Sequence, residues 1–286
     1  MITHYYHLCW HATFVTLSVN FSHSKIEQIY RLLALEPLPI SPPLACDFIL
    51  KESNDGYLLQ VSQQNYFFPH IDDLIVNTTN KISMKFLERA NCLLMHSGAL
   101  IVNNRALLFS GLSHAGKTSL ALNAWRAGIT IIGDDLLACD PHQNTVMSFP
   151  KPLRVRLPDA TSVPPKDICQ YAGEENIVSG QFLYDAGFFV GRHARHILVY
   201  EKPVKVHKMY FIEQGSQTNL MPLNAQLSLT LALTQVYPNA CSLQIAPMIQ
   251  ALAKQNHLYR LTIGLHAFQD ALEIMCESNS TTDSIA

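Results

Sequence analysis

The sequence predicts an α/β protein in two parts: a small N-terminal α+β domain over residues 1–90 and a larger α/β domain over residues 91–286. Three observations lead there. The chain has 286 residues, more than one domain usually holds. Its first part carries short alternating runs, whereas continuous apolar runs follow residue 91. And residues 99–135 read, in order, as strand, turn, strand, glycine loop, helix, strand and two aspartates.

The composition agrees with a folded chain. An apolar fraction of 48% and a charged fraction of 15% provide for a sizeable core. With a formal charge of -2 and no dense run among its 20 Lys and Arg residues, the chain offers no cationic face to nucleic-acid phosphates, so no nucleic acid is expected as partner. Met1 to Trp10 lacks the basic start and apolar stretch of a secretory signal, and no apolar run approaches the ~20 residues that span a bilayer. A soluble, cytoplasmic protein without a membrane partner is the expectation. Seven cysteines, scattered and never in a C-x-x-C pair, read as reduced thiols rather than as a disulfide or zinc framework.

In the first domain, Thr13 to Asn20, Tyr57 to Val61 and Tyr66 to Phe68 have the β-rich content of short strands. His23 to Leu35 sets Ile26, Ile29, Leu32 and Leu33 at helical spacing behind Ser24, a candidate N-cap, before Pro37, Pro39, Pro42 and Pro43 stop the helix. Lys81 to Cys92 is a second amphipathic segment and leads into Met95-His96-Ser97-Gly98. In the second domain, Ala99 to Val102 and Ala106 to Ser110 flank Asn103-Asn104, a hairpin-type turn. The helix pattern Ser119 to Arg126 places Leu120, Ala121, Ala124 and Trp125 on one side and closes at Gly128. Ile129 to Ile132 is a buried-strand pattern ending at Gly133-Asp134-Asp135. Further on, Lys151 to Leu157, Val204 to Ile212 and Leu258 to Ile263 read as strands, and Ala225 to Tyr237, Pro247 to Asn256 and His266 to Met275 as helices. Pro164 to Gly191 reads as a loop or lid, and Ser278 to Ala286 as a frayed tail.

The chemistry concentrates in Gly111-Leu112-Ser113-His114-Ala115-Gly116-Lys117-Thr118, which fits G-x-x-x-x-G-K-[ST] at every specified position, with a strand pattern before it and a helix pattern after it. Glycines let successive backbone N–H groups turn toward phosphate oxygens, and the following helix presents its positive end to them. Gly111, Ser113, His114, Ala115, Gly116, Lys117, Thr118 and Ser119 are thus the candidate residues for holding ATP. Lys117 would neutralise the β and γ phosphates, and the Thr118 hydroxyl would be a ligand for Mg²⁺. The plain alternative is an ordinary glycine loop ahead of a helix. Of the two aspartates, one would hold the metal and the other accept a proton, since adjacent carboxylates repel and push one toward useful basicity. Neighbours on a strand point to opposite faces, so both serve one site only where the strand has ended. Otherwise they form a cap or turn before Leu136.

Residues His96 to Asp135, with M-H-S-G-A-L-I-V, then L-L-F-S-G-L-S-H-A-G-K-T-S-L-A-L, then I-T-I-I-G-D-D, resemble the catalytic domain of the HPr kinase/phosphorylase family. The resemblance implies a P-loop fold of the phosphoenolpyruvate carboxykinase kind, with a mixed sheet. Position by position it would make Asp134 the general base that takes a serine hydroxyl proton, with His96 nearby supporting its charge, while Asp135 assists the metal together with Thr118. It departs from the family pattern in having Thr118 where Ser is frequent and Ser97 between His96 and Gly98. For His96 the alternative is a hydrogen-bonded core histidine, one of 13 histidines in the chain.

Arg154 and Arg156 alternate on one predicted strand and are candidates for stabilising a transferring phosphoryl group, or else form a solvated basic strand. Gly191 to His196 would be a phosphate or substrate loop, a metal pair through His193 and His196, or a plain polar loop before the predicted strand Ile197 to Tyr200. The expected activity is transfer of the γ-phosphoryl of ATP to a hydroxyl, that of a serine of a protein, peptide or free amino acid, the partner being an unknown protein, peptide or small-molecule hydroxyl acceptor. The alternative is a nucleotide-dependent switch that hydrolyses slowly. The family's oligomers imply a homo-oligomer as a further partner.

Overall fold

The computed structural model describes residues 3–10, 13–21, 23–33, 35–89, 92–156, 166–172, 177–181, 186–190, 202–237 and 242–280. In chain order the elements begin with β1 (His4–Trp10), β2 (Thr13–Asn20), α1 (His23–Leu33), β3 (Pro37–Pro39), β4 (Phe48–Ser53), β5 (Gly56–Val61), β6 (Gln64–Phe68) and α2 (Ile71–Arg89). They continue with β7 (Leu93–Met95), β8 (Ser97–Val102), β9 (Arg105–Ser110), α3 (Lys117–Arg126), β10 (Thr130–Gly133), β11 (Leu137–Asp140), β12 (Thr145–Ser148), β13 (Leu153–Arg156) and α4 (Lys166–Ala172). Then come β14 (Ile177–Gln181), β15 (Ala186–Val190), β16 (Val204–Gly215), β17 (Asn219–Pro222), α5 (Ala225–Leu233), α6 (Ala246–Lys254), β18 (Leu258–Gly264) and α7 (Phe268–Ser280). Two compact units result: Met1–Ala90 with Pro150–Arg195, and Asn91–Phe149 with His196–Ala286.

The first unit contains a six-stranded sheet in the order β3-β1-β2-β4-β5-β6, in which β2 and β4 run parallel and the other neighbours antiparallel. Val15, Leu17 and Val19 of β2 are fully buried, as are Leu74, Val76, Ile82 and Phe86 of α2, which packs across β2 and β5. Arg89 ties the end of α2 to the sheet through a forked pair with Asp47 at 2.9 and 2.5 Å, and Asp47 also accepts the Thr16 N–H at 2.9 Å.

A second, three-stranded sheet, β13-β15-β14, belongs to the same unit. Here the structure corrects the expectation of a loop or lid over Pro164 to Gly191, because that stretch contains α4 and the antiparallel pair β14–β15. Its apolar strand content, Ile177-Val178 and Phe188-Phe189-Val190, is brief and set among small residues, which conceals the alternation. α2 packs against β14, and the Ser83 hydroxyl donates to the Pro150 carbonyl at 2.7 Å. The units therefore differ from the contiguous division 1–90 and 91–286 by placing residues 150–195 with the N-terminal segment.

The second unit is built on a nine-stranded mixed sheet that includes the path β10-β8-β9-β16-β12-β11-β7, with β18 beside β16 and β17 beside β18. β16 runs parallel to both β9 and β18. Since β8 is antiparallel to both β9 and β10, the strands β10, β9, β16 and β18 all point the same way. Their carboxyl ends share one sheet edge, the place where open α/β sheets bind ligands. Met209 and Phe211 of β16 join a buried cluster with Met248, Ile249 and Leu252 of α6, whereas Tyr210 between them reaches the Met275 carbonyl of α7 at 3.5 Å. The sheet is thus covered on both faces, by α5 and α6 on one and by α3 and α7 on the other.

Among the described residues no helix is long and apolar enough to cross a membrane. None of the six cysteines among them forms a disulfide, and Cys241 lies outside the described residues.

Candidate active site

The glycine loop joins β9, whose Ala106 to Ser110 are buried, to α3 at the shared carboxyl edge. The chain reverses there through two left-handed residues, His114 at φ 67° and Gly116 at φ 97°. Gly116 needs its hydrogen for a second reason, since a Cβ there would lie 2.9 Å from the Phe268 ring. The N-cap of α3 is Gly116, a residue with no side chain to cap the helix start. Lys117 is buried, and its ammonium donates to the Gly111 carbonyl at 2.7 Å and the Leu112 carbonyl at 3.1 Å. The Ala115 N–H also bonds to the Leu112 carbonyl, at 3.1 Å. In this conformation the loop is closed upon itself through its own lysine. Ala115 is buried within it, while Ser113, His114 and Ser119 are exposed.

The aspartates follow from a local irregularity in β10. Ile131 faces Leu100 and Gly133 faces Ala99, so Ile132 is an extra residue that shifts the register. The strand ends at Gly133, and Asp134 and Asp135 lie in the bend beyond it, freed from strict alternation across the sheet. The Thr118 hydroxyl donates to Asp134 Oδ2 at 2.7 Å, and Asp134 is only 5% exposed. Asp135 Oδ1 lies 2.6 Å from His96 Nε2, with both side chains about one-third exposed. An ionised carboxylate only accepts, so Nε2 is the donor in that pair.

His96 stands just before β8, which runs opposite to its neighbours, and so reaches the same edge. Its main chain is held from two sides: its N–H donates to the Gln235 carbonyl at 2.6 Å and its carbonyl accepts the Ser110 hydroxyl at 3.3 Å. Nothing in the sequence marks Gln235 for this role, because a main-chain acceptor leaves no residue-type signature. The same holds for Phe268, which abuts Gly116 from a distant segment.

The structure therefore brings Lys117, Thr118, Asp134, Asp135 and His96 to one edge of one unit. His96 pairs with Asp135, whereas the family pattern set it beside Asp134. Arg154 and Arg156 are placed on β13 in the first unit, opposite Phe189 and Gly187 of β15, and not on an element of the unit that holds the loop. Gly191 to His196 and Ile197 to Tyr200 lie outside the described residues.

No protein-family model matches the chain, and comparison with characterised proteins finds no match. Among solved structures, an HPr(Ser) kinase/phosphatase from Coxiella burnetii overlaps 68% of this chain and 99% of its own at 10% sequence identity, with a TM-score of 0.32. At that score the overlap adds nothing to the geometry, and the functional reading rests on the site itself.

Proposed function

We propose that this chain is an ATP-dependent phosphotransferase that moves the γ-phosphoryl group to a hydroxyl, that of a serine in a protein, peptide or free amino acid. One observation carries the reading: beside a glycine-loop lysine at the start of α3, a hydroxyl–carboxylate pair and a histidine–carboxylate pair stand on two consecutive aspartates. The Thr118 hydroxyl and Asp134 carboxylate are hard oxygen donors that fit Mg²⁺, which when bound withdraws charge from the bridging phosphate oxygen. Phosphate oxygens would replace the Gly111 and Leu112 carbonyls as partners of Lys117.

The pairing supports exchanging the two carboxylate roles that the family pattern implies. Asp134, held by Thr118, belongs to the metal; Asp135, oriented by His96 and partly open to solvent, is the general base. Asp135 removes the acceptor O–H proton as that oxygen bonds to the γ-phosphorus, and the bond to the β–γ bridging oxygen breaks with its electron pair leaving on ADP.

The test is retention of nucleotide and transfer of label from γ-labelled ATP in magnesium buffer. Lys117→Ala removes the ammonium and should weaken ATP binding by about 2 kcal/mol, roughly thirtyfold in Kd. Equal binding by the parent chain and the variant would refute the site.

A further inference from the structure

We infer that the cavity on the β16 side of the glycine loop receives the nucleoside half of the triphosphate, an inference that rests on the phosphotransferase reading above. This cavity of ≈ 420 Å³ is bounded by Gly111 to Ala115 on one side and by the end of β16, the C-terminal end of α5 and Arg260 of β18 on the others. Its size falls within the ~300–1,000 Å³ of small-molecule pockets. Phe211, Leu231 and Leu112 make its walls largely apolar, and Glu213 and Arg260 are acidic and basic residues among those that line it. An aromatic base with polar edges, carried on a ribose, matches that surface. Apolar walls cover the ring, a guanidinium stacks on a π face, and a carboxylate accepts from amino or hydroxyl groups.

Position decides which end of the nucleotide lies there. Along the carboxyl edge of the sheet the order is β10, β8, β9, β16 and then β18. Asp134, Asp135 and His96 stand at β10 and β8, whereas the cavity opens at β16 and β18, and only its Gln235 wall comes back to the His96 main chain, through the 2.6 Å bond described above. In phosphoryl transfer the attacking and leaving oxygens lie roughly in line on opposite sides of the γ-phosphorus. A base at Asp135 fixes the acceptor side, so the leaving β-phosphate and the nucleoside attached to it run away from Asp135, and the cavity is the concave surface that the glycine loop borders toward β16 and β18.

The decisive comparison uses the full chain with two probes in magnesium buffer, ATP and inorganic tripolyphosphate, each titrated calorimetrically into the parent, Thr234→Trp and Arg260→Met. Thr234 is an exposed cavity residue, so the tryptophan fills the mouth without entering the core. Both variants should lose roughly tenfold in ATP affinity while holding tripolyphosphate as the parent does. Loss of both probes alike, or of neither, overturns the nucleoside assignment and leaves the phosphate site standing. A parent chain that binds neither probe overturns the phosphotransferase reading and this inference together.

Discussion

Asp134 and Asp135 are adjacent in sequence yet have different partners, and the two substitutions should therefore separate. Asp134→Asn should weaken the affinity for magnesium nucleotide. Asp135→Asn should keep nucleotide binding and lower the transfer rate by roughly 10²-fold or more, the usual contribution of a general base. Parallel loss of binding in both would return Asp135 to the metal. The lysine, the hydroxyl and the pair of carboxylates were legible from spacing alone. Which carboxylate meets which partner was not, because it depends on the extra residue Ile132, a register shift that residue types do not announce. A second titratable cluster lies away from the site. His257 is 8% exposed, and its ring is 4.4 Å from that of His207. Burial pushes its imidazole below the ordinary value of 6.5, the Lys208 and Arg105 charges act in the same sense, and a backbone hydrogen bond involving His207 opposes them. The unfolded chain therefore binds this proton at higher pH than the folded one. Stability should be fully present above 6.5 and decline as pH falls from there toward the lowered folded value. Thermal melts from neutral to about pH 5 should show the decline, and His257→Gln should flatten it. An equal decline in the variant would place the cause elsewhere.

Among the elements, the hairpin β8–β9 carries the most constraint for its length. A Cβ on Gly98 would come within 2.2 Å of the Phe109 ring and 2.7 Å of the Gly133 carbonyl, the residue just before the aspartates. Gly98→Ala should thus cost about 1–3 kcal/mol by overpacking, seen as a lowered Tm, and should disturb the Asp134 bend as well. An unchanged Tm would mean that the ring and bend yield freely. The turn of this hairpin was readable because Asn103 and Asn104 tolerate left-handed angles, and they adopt φ 52° and 59°. α3 was readable through its apolar face and the left-handed Gly128 beyond it, at φ 78°. α2 was seen only in its second half, from Lys81. Its first half hides buried polar residues, Asn77, Thr78 and Thr79, which interrupt the apolar period.

At the scale of the whole molecule, the first unit is assembled from two separated stretches of chain, Met1–Ala90 and Pro150–Arg195. A fragment of residues 91–286 would keep β13 to β15 but lose α2, against which β14 packs. It should therefore be less soluble and melt lower than the full chain by light scattering and calorimetry, and a monomeric fragment with an unchanged Tm would contradict the division. Contiguous domains were the natural expectation, since nothing in composition changes at residues 150 or 195. The return of a later segment is written only in its packing partner. This interleaving also sets an order of events at the ribosome. α2 emerges early, with a surface meant for β14, and must hold it uncovered while β7 to β12 and α3 of the other unit are still being made. The first unit cannot be completed before part of the second has been made, and a holding chaperone would find its clearest target in that interval.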